Sequence, residues 1–490
     1  MPQFYTEEEA VTAIRKLISQ KMLQFARRTA HEALREYSDS RQIRYLNAFI
    51  SSELKDYATA SVLLEQLNNE DPGKIEILKS LINTWTGLGE MNKAIGYNNN
   101  LEELTGRKNQ AILTNADIYE RNNKVEKADE ELAKLPSNIL EQILNINIRA
   151  RVLISKKEYE QAVDLILKYE DKLPELEELS QITAFFMLTK AYDKLGEYDK
   201  AWEAAAKAHS LSTFPFDIDN YFKQFAEVRE FMSREIVEAL VEGPTTKVEP
   251  LFIVGNPRSG TSLLEQIISM HPDVENCGEM SVGMTMQLDI LPLTDSFHAW
   301  PNNLVDIRAD DAAKLAELYL EAVEYSRNGE RVMSNKALNL PIQVGFLSKV
   351  LPSSRAIMLH RHPLDNAVSC YTTNLVAAGH PYTNNLEHLG KVWIERKKMT
   401  DMWMEILSIP VMELHYENLV ANQRVETERL IKFLDLPWEE DCMQFHKSKR
   451  VAKTISYDQV NKKMYKTSSG RWKNYEKHLG PLMDIVSDYI

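Results

Sequence analysis

The sequence predicts two joined architectures: an α-helical solenoid in the N-terminal half and an α/β domain on a central parallel sheet in the C-terminal half. Three observations predict it. Alanines recur every 34 residues from Ala26 to Ala162. An apolar run, Leu251 to Val254, ends in a polar, Gly-containing turn that opens a helical pattern at Leu263, Leu264, Ile267 and Ile268. Between these signals runs Val241-Glu-Gly-Pro-Thr-Thr-Lys-Val-Glu-Pro250, whose Pro, Gly and Thr content marks a linker. A chain of 490 residues is too long for one ordinary core and ample for a solenoid plus one α/β domain.

The N-terminal half is periodic. Ala26, Ala60, Ala94, Ala128 and Ala162 are equally spaced. Three residues before each stands Leu23, Tyr57, Met91, Val125 or Tyr159; seven after each stands Ala33, Leu67, Leu101, Leu135 or Tyr169. Thirty-four is the period of the tetratricopeptide repeat, two antiparallel helices per unit. A sixth unit follows a five-residue insertion, with Phe185, Leu188, Tyr192, Gly196, Tyr198, Ala201 and Ala208 on the repeat pattern. Pro72 and Pro174 fall twelve residues after their alanines, at inter-repeat turns. A small residue is needed where the two helices of a unit cross closely, and a plain bundle with an alanine seam has no reason to keep one period across five alanines. Phe216 to Leu240 reads as a capping helix. The boundaries predicted are a solenoid over 1–235, a linker over 236–249 and the α/β domain over 250–490.

The second element is an anion cradle. Strand, Gly-containing turn and helix in succession point backbone N–H groups and a helix N-terminus at a phosphate. Gly255 and Gly260 have the spacing of a nucleotide-binding P-loop, but Thr261 stands where that loop carries lysine. Arg258 supplies the positive charge from inside the loop. A second strand pattern, Arg355 to His360, leads into Arg361-His-Pro363-Leu-Asp365-Asn-Ala-Val-Ser369, a turn entering a helix. Arg361 can fork two N–H bonds onto an anion and Ser369 adds a hydroxyl. Asp365 reads as structural, a carboxylate in a first helical turn.

The segment Pro257-Arg258-Ser259-Gly260-Thr261-Ser262 resembles the donor loop of sulfotransferases, which use 3′-phosphoadenosine-5′-phosphosulfate (PAPS) and hold its 5′ end there. The resemblance implies that Arg258, Ser259, Gly260, Thr261 and Ser262 bind the donor. Arg-x-Pro-x-Asp-x-x-x-Ser from Arg361 to Ser369 is similar to the family's 3′-phosphate clamp; the tyrosylprotein branch adds an Arg four residues later, where this chain has Thr373. Gly278-Glu279 is similar to the segment of that branch whose Glu is the catalytic base. Ser334-Asn335-Lys336 resembles the segment that brings a lysine to the transferring sulfuryl group. Tyr416-Glu-Asn-Leu419 resembles a segment whose Tyr lies near the nucleotide, and Ser456-Tyr-Asp-Gln-Val460 one whose Ser contacts the transferring group. Lys462 and Tyr465 fall in the loop that would cover the donor. Gly470-Arg471-Trp472 resembles a terminal Gly-x-Trp element in which Arg471 replaces a Lys. The order of these segments holds from residue 250 to about 473. With the repeats, the chain resembles the tetratricopeptide-repeat sulfotransferases common in bacteria.

The chemistry implied is transfer of a neutral SO3 unit from the 5′-phosphate of PAPS to an acceptor, leaving the adenosine bisphosphate (PAP). Negative charge builds on the bridging oxygen, so fixed cations lower the barrier. Arg258, Lys336 and the loop N–H groups suit that role. A carboxylate takes the acceptor proton best when burial raises its pKa toward neutrality, and Glu279 is the candidate. His271 is the rival base, because cytosolic sulfotransferases use His, but before Pro272 it reads as a helix-end cap. No metal is expected. The acceptor stays open between protein tyrosine, a glycan hydroxyl and a small alcohol or phenol, with a protein acceptor recruited by the repeats as one route. Two other readings stay open: a divergent P-loop kinase whose Asp365 or Glu279 holds magnesium, and a repeat scaffold whose nucleotide fold is inactive.

Charge and cysteine content narrow the partners. The chain holds 58 Lys+Arg against 72 Asp+Glu, a net −14. Residues 1–250 hold 32 against 42, so the repeats carry most of the acidity. That argues against nucleic acid. Cys277, Cys370 and Cys442 form no CxxC pair, which predicts a reducing compartment. No signal-like segment and no apolar run long enough for a bilayer appears, so a cytoplasmic enzyme is expected.

Overall fold

The computed structural model describes residues 6–20, 22–324, 327, 329–375, 379–447, 464 and 468–490. Its N-terminal half is a stack of antiparallel helices: α1 (Glu7–Ser19), α2 (Leu23–Glu36), α3 (Arg41–Glu53), α4 (Tyr57–Glu70), α5 (Ile75–Leu88), α6 (Met91–Thr105), α7 (Lys108–Arg121), α8 (Val125–Leu132), a short α9 (Ser137–Leu140), α10 (Ile146–Ser155), α11 (Tyr159–Lys168), α12 (Glu178–Leu195) and α13 (Tyr198–Ser210). The periodic alanines Ala26, Ala60, Ala94, Ala128, Ala162 and Ala201 are all fully buried. The helices cross at these sites, and a larger side chain would force them apart. Each of five pairs turns through one left-handed residue: Lys55, Gly89, Asn123, Lys157 and Gly196, with φ of 62, 79, 56, 66 and 78°.

Two further helices, α14 (Ile218–Phe231) and α15 (Arg234–Ala239), occupy the segment expected to cap the solenoid. Their role differs from that expectation. Phe216, Tyr221 and Phe222 do pack on the last helical pairs. Phe225, Val228, Met232 and Val237 instead enter the core of the α/β domain. The segment is apolar on two faces, so it bridges two cores where a cap would serve one.

The α/β domain holds five parallel strands: β1 (Glu249–Gly255), β2 (Val274–Asn276), β3 (Val332–Asn335), β4 (Arg355–His360) and β5 (Val411–His415), in the order β2-β3-β1-β4-β5. Helices α16 (Thr261–Ile268), α17 (Val282–Thr294), α18 (Ala309–Glu324), α19 (Leu340–Val350), α20 (Pro363–Tyr371), α21 (Leu386–Ile406), α22 (Tyr416–Ala421) and α23 (Gln423–Phe433) surround it. Both faces are covered, which is why β1 reads as an unbroken apolar run. Leu251 and Ile253 pack with Leu264, Ile267 and Leu430 on one face; Phe252 and Val254 pack with Met286, Leu315 and Trp403 on the other. The chain order reverses direction across the sheet at β1, so a crevice opens at the carboxyl ends of β1 and its neighbours.

The solenoid meets this domain at both of its ends. At its C-terminal end, Trp202 of α13 stacks on Tyr371 at 4.3 Å and on His478 at 4.9 Å, inside one continuous apolar cluster. At its N-terminal end, Arg27 donates to Ser281 Oγ and Arg28 to the Leu288 carbonyl, each at 3.1 Å. Among the described residues no helix is long and apolar enough to cross a membrane.

Candidate active site

Five candidate residues fall immediately after the carboxyl ends of the five strands. Arg258 follows β1, Glu279 follows β2, Lys336 follows β3, Arg361 follows β4 and Tyr416 follows β5. Residues far apart in sequence are thereby brought to one edge of the sheet by topology alone.

The loop after β1 is tightly constrained. Arg258 sits at φ 65° and Gly260 at φ 103°. A Cβ on Gly260 would lie 2.5 Å from the Tyr416 ring, so glycine is required by both backbone and space. No side chain caps α16 at Gly260, the arrangement in which first-turn N–H groups serve an anion. A Cβ on Gly255 would meet Ser259 Oγ at 2.7 Å. Ser259 Oγ is buried and has no hydrogen-bond partner among the described residues. A buried hydroxyl without a partner beside such a cradle suits a bound anion. Thr261 and Ser262 open α16.

The strand ends of β1 and β4 meet. Arg361 donates from Nη1 to the Arg258 carbonyl at 2.7 Å and from Nη2 to the Ser468 carbonyl at 2.8 Å. Its Nε is buried without a partner, and its guanidinium lies over the Tyr416 ring at 4.6 Å. Arg258 Nε donates to Ser369 Oγ at 3.1 Å. Arg258, Arg361, Ser369 and Tyr416 therefore form one cluster. Asp365 receives the main-chain N–H groups of Gly470 and Trp472 at 2.6 and 2.9 Å, tying the terminal segment over α20.

Arg471, expected on the donor, is directed elsewhere. Its guanidinium pairs with Asp193 of α12 at 2.6 Å, and Tyr475 donates to the same carboxylate. Its pKa is raised although burial alone would lower it, because Asp193 and Tyr475 hold the charge. It is the main chain on either side of Arg471 that reaches Asp365 of α20. Ser456, Lys462 and Tyr465 lie outside the described residues.

Glu279 sits between two ammonium groups. Lys336 Nζ is 3.3 Å from its Oε1, and Lys55 Nζ, from the α3–α4 turn, is 3.3 Å from its Oε2. The elevated carboxyl expected from burial is not what the geometry produces. Burial pushes the group up, but Lys336 and Lys55 outweigh it and hold its pKa at about 2. Lys336 also lies 3.8 Å from Glu265 Oε2. Glu265 accepts from Ser334 Oγ at 2.8 Å and from Gly278 N at 3.1 Å. Burial raises the Glu265 carboxyl against the pull of Lys336. Lys55, Glu279, Lys336 and Glu265 thus form a line of alternating charge from the solenoid into the core.

His271 is a structural residue here. Its Nδ1 accepts from Asp273 N at 3.1 Å, so Nε2 carries the proton and donates to the Pro437 carbonyl at 3.0 Å. Both ring nitrogens are spent, and no lone pair faces a substrate. His362 caps α20 through Leu364 N and stacks on Trp472. His360 is packed in, and burial, helped by Lys397 and His415, lowers its pKa to about 4. Among the described residues no group of three or more His, Cys, Asp or Glu side chains is placed to hold a metal ion.

Two buried charged residues beside the candidate site carry no motif in the sequence. Glu265 occupies the i+4 position after Thr261 and i+1 after Leu264, inside the buried face of α16. Arg396 stands among Leu389, Val392, Trp393, Met399 and Trp403 on the buried face of α21. It donates to Asn256 Oδ1 at 2.7 Å and to the carbonyls of Gly255 and Leu338 at 3.1 and 2.9 Å, bracing the loop after β1. The same signal marks both: a charge at a core position of an amphipathic helix needs a partner.

Residues 250–440 match a family model described as the sulfotransferase family. An uncharacterized protein of Aquifex aeolicus (strain VF5) is 26% identical over 468 residues, 93% of this chain and 56% of that protein. Protein-tyrosine sulfotransferase 1 of Danio rerio is 24% identical over 224 residues, 43% of this chain and 60% of the relative. Protein-tyrosine sulfotransferase 2 of Gallus gallus is 26% identical over 215 residues, 41% of this chain and 56% of the relative. The chain thus spans little more than half the length of these relatives. The family match begins at β1 and takes in every strand of the sheet, while the helical pairs ahead of it keep the 34-residue period; residues 250–440 are similar to the sulfotransferase family, and a solenoid with the tetratricopeptide period precedes them.

Proposed function

We propose that the protein transfers a sulfuryl group from PAPS to an acceptor hydroxyl, with Glu279 as the base. The observation that carries this reading is the convergence of Arg258, Arg361, Ser369 and Tyr416 on one side of the crevice with the Glu279–Lys336 pair on the other. The loop from Ser259 to Ser262 receives the 5′ end of the donor, where the uncapped α16 and the unpartnered Ser259 hydroxyl suit an anion. Arg361 and Ser369 take the 3′-phosphate, with Tyr416 beside the nucleotide. Lys336 and Arg258 steady the charge that develops on the bridging oxygen. The acceptor proton goes to Glu279. Two relatives bear the name protein-tyrosine sulfotransferase, which makes a tyrosyl peptide the first acceptor to try.

The direct test is label transfer. In excess chelator, 35S from labelled PAPS is expected to pass to a tyrosyl peptide or to a fraction of cell extract, with PAP released and no turnover of ATP. P-loop kinases rely on a lysine and magnesium to neutralise the β- and γ-phosphates, and Thr261 replaces that lysine here. Strict magnesium dependence with ATP as the better donor would overturn the assignment.

A second test isolates the 3′ site. Arg361→Ala is expected to weaken PAP binding by about 1.5–3 kcal/mol, the worth of a charged hydrogen bond. Adenosine 5′-phosphosulfate, which lacks the 3′-phosphate, should bind almost as before. Arg361 also holds the Arg258 carbonyl, so equal losses for both ligands would show that it shapes the loop and does not read the 3′ position.

A further inference from the structure

Lys55 belongs to the solenoid, yet it contacts the candidate base of the other domain. The turn that carries it recurs in five repeats with a left-handed residue each time. Gly and Asn, the ordinary occupants of that conformation, stand at 89, 123 and 196. A lysine stands at 55 and 157. Lys157 is exposed, whereas Lys55 reaches Glu279 at 3.3 Å.

The placement of Lys55 is built from both sides. Asp56, its neighbour, accepts from Thr59 N at the start of α4 and pairs with Arg27 at 3.1 Å. The same buried Arg27 donates to Ser281 Oγ at 3.1 Å, two residues beyond Glu279. One guanidinium therefore pins the Lys55 turn to the segment that carries the carboxylate. Around that carboxylate, among the described residues, stand Lys336 at the end of β3, Glu265 of α16 behind it, Tyr57 of α4 and His380.

We propose that Lys55 is a positioning residue of the sulfotransferase site: its ammonium holds the Glu279 carboxylate, so docking of the second repeat turn sets how strongly that carboxylate takes the acceptor proton. The proposal rests on the reading of Glu279 as the base. A carboxylate with an ammonium on each oxygen is oriented but weakly basic. Withdrawal of Lys55 leaves Lys336 in place and strengthens the base. Acceptor binding that shifts the first repeats would therefore switch the site on, and a nucleotide bound without acceptor would meet a subdued base.

The test is the pH profile of kcat/KM for the full chain. A base works only when unprotonated, so the acid limb marks its pKa. Lys55→Glu replaces an attraction by a like charge, and the limb should rise by about two pH units relative to wild type. Lys55→Asp should move it in the same direction and suits the left-handed turn, which keeps the test open if the glutamate variant folds poorly. Lys55→Arg should leave the limb where wild type has it, as should Lys157→Glu at the matching turn. An unmoved limb in folded Lys55→Glu or Lys55→Asp, with Glu279→Gln inactive, overturns the proposal alone. Full turnover in Glu279→Gln overturns the base reading and the proposal with it.

Discussion

Replacing Glu279 by Gln is expected to lower turnover by about 10²–10⁴ while leaving PAP affinity nearly unchanged, the range for loss of a positioned general base. Gln preserves the size of the side chain and can still accept through its one oxygen from either Lys336 or Lys55, which lie 3.3 Å from the two carboxylate oxygens, while its NH2 faces the other ammonium. What it removes is the charge and the capacity to take a proton. The contacts that join Arg258 to Ser369, and Arg361 to the Arg258 carbonyl and the Tyr416 ring, do not run through Glu279. Single-turnover kinetics with saturating PAPS and a titration with PAP separate the two effects. Wild-type turnover in the variant would remove Glu279 as the base. His271 would not inherit the role, because both of its nitrogens are committed to the main chain.

Much of this site was legible in the sequence because its parts are local. A strand that ends in a Gly-containing turn and opens a helix declares an anion cradle from a dozen residues, and Gly260 is needed there whatever the rest of the chain does. The alanine ladder was equally legible, since each repeat contacts chiefly its neighbours and must satisfy the same crossing. The parts that were not legible depend on contacts between distant segments. Lys55 reads as a surface lysine in a turn, and nothing in its own repeat shows that Glu279 lies beyond it. Arg471 reads as a substitute for a catalytic-domain lysine, and its partner Asp193 is 278 residues away. The pKa of Glu279 was expected to rise with burial. The direction reverses because two cations, one of them from the solenoid, meet the same carboxylate. The segment 216–240 was expected to serve only the solenoid, and its second apolar face became meaningful only once α19 and α21 were placed beside it.

Lys336→Met should show two losses that can be separated. Lys336 is almost fully buried between Glu265 and Glu279. Removing one member of a buried charge pair leaves the other uncompensated, at a cost of about 3–5 kcal/mol. Glu265, itself buried, bears that cost, although Ser334 and Gly278 still donate to it. Turnover should fall by about 10²–10³, as for loss of one group that stabilises transition-state charge. The stability loss should depend on pH. Glu265 has a folded pKa above its unfolded value, and without Lys336 it rises further, so the folded state keeps a proton that the unfolded state has released. Stability of the variant then falls as pH rises through that folded pKa. Glu279 works in the same direction: its depressed pKa contributes stability above the unfolded value, lost as pH falls toward about 2, and part of that contribution disappears with Lys336. The variant should therefore be destabilised more at pH 7 than at pH 4–5, measured by denaturant unfolding at each pH. Adding Glu265→Gln should recover much of the stability, since a buried pair replaced by neutral groups is often close to neutral overall. Turnover should stay low in the double variant. If turnover returned together with stability, Lys336 would be a structural counter-ion for Glu265, and the charge-stabilising role would pass to Arg258 alone.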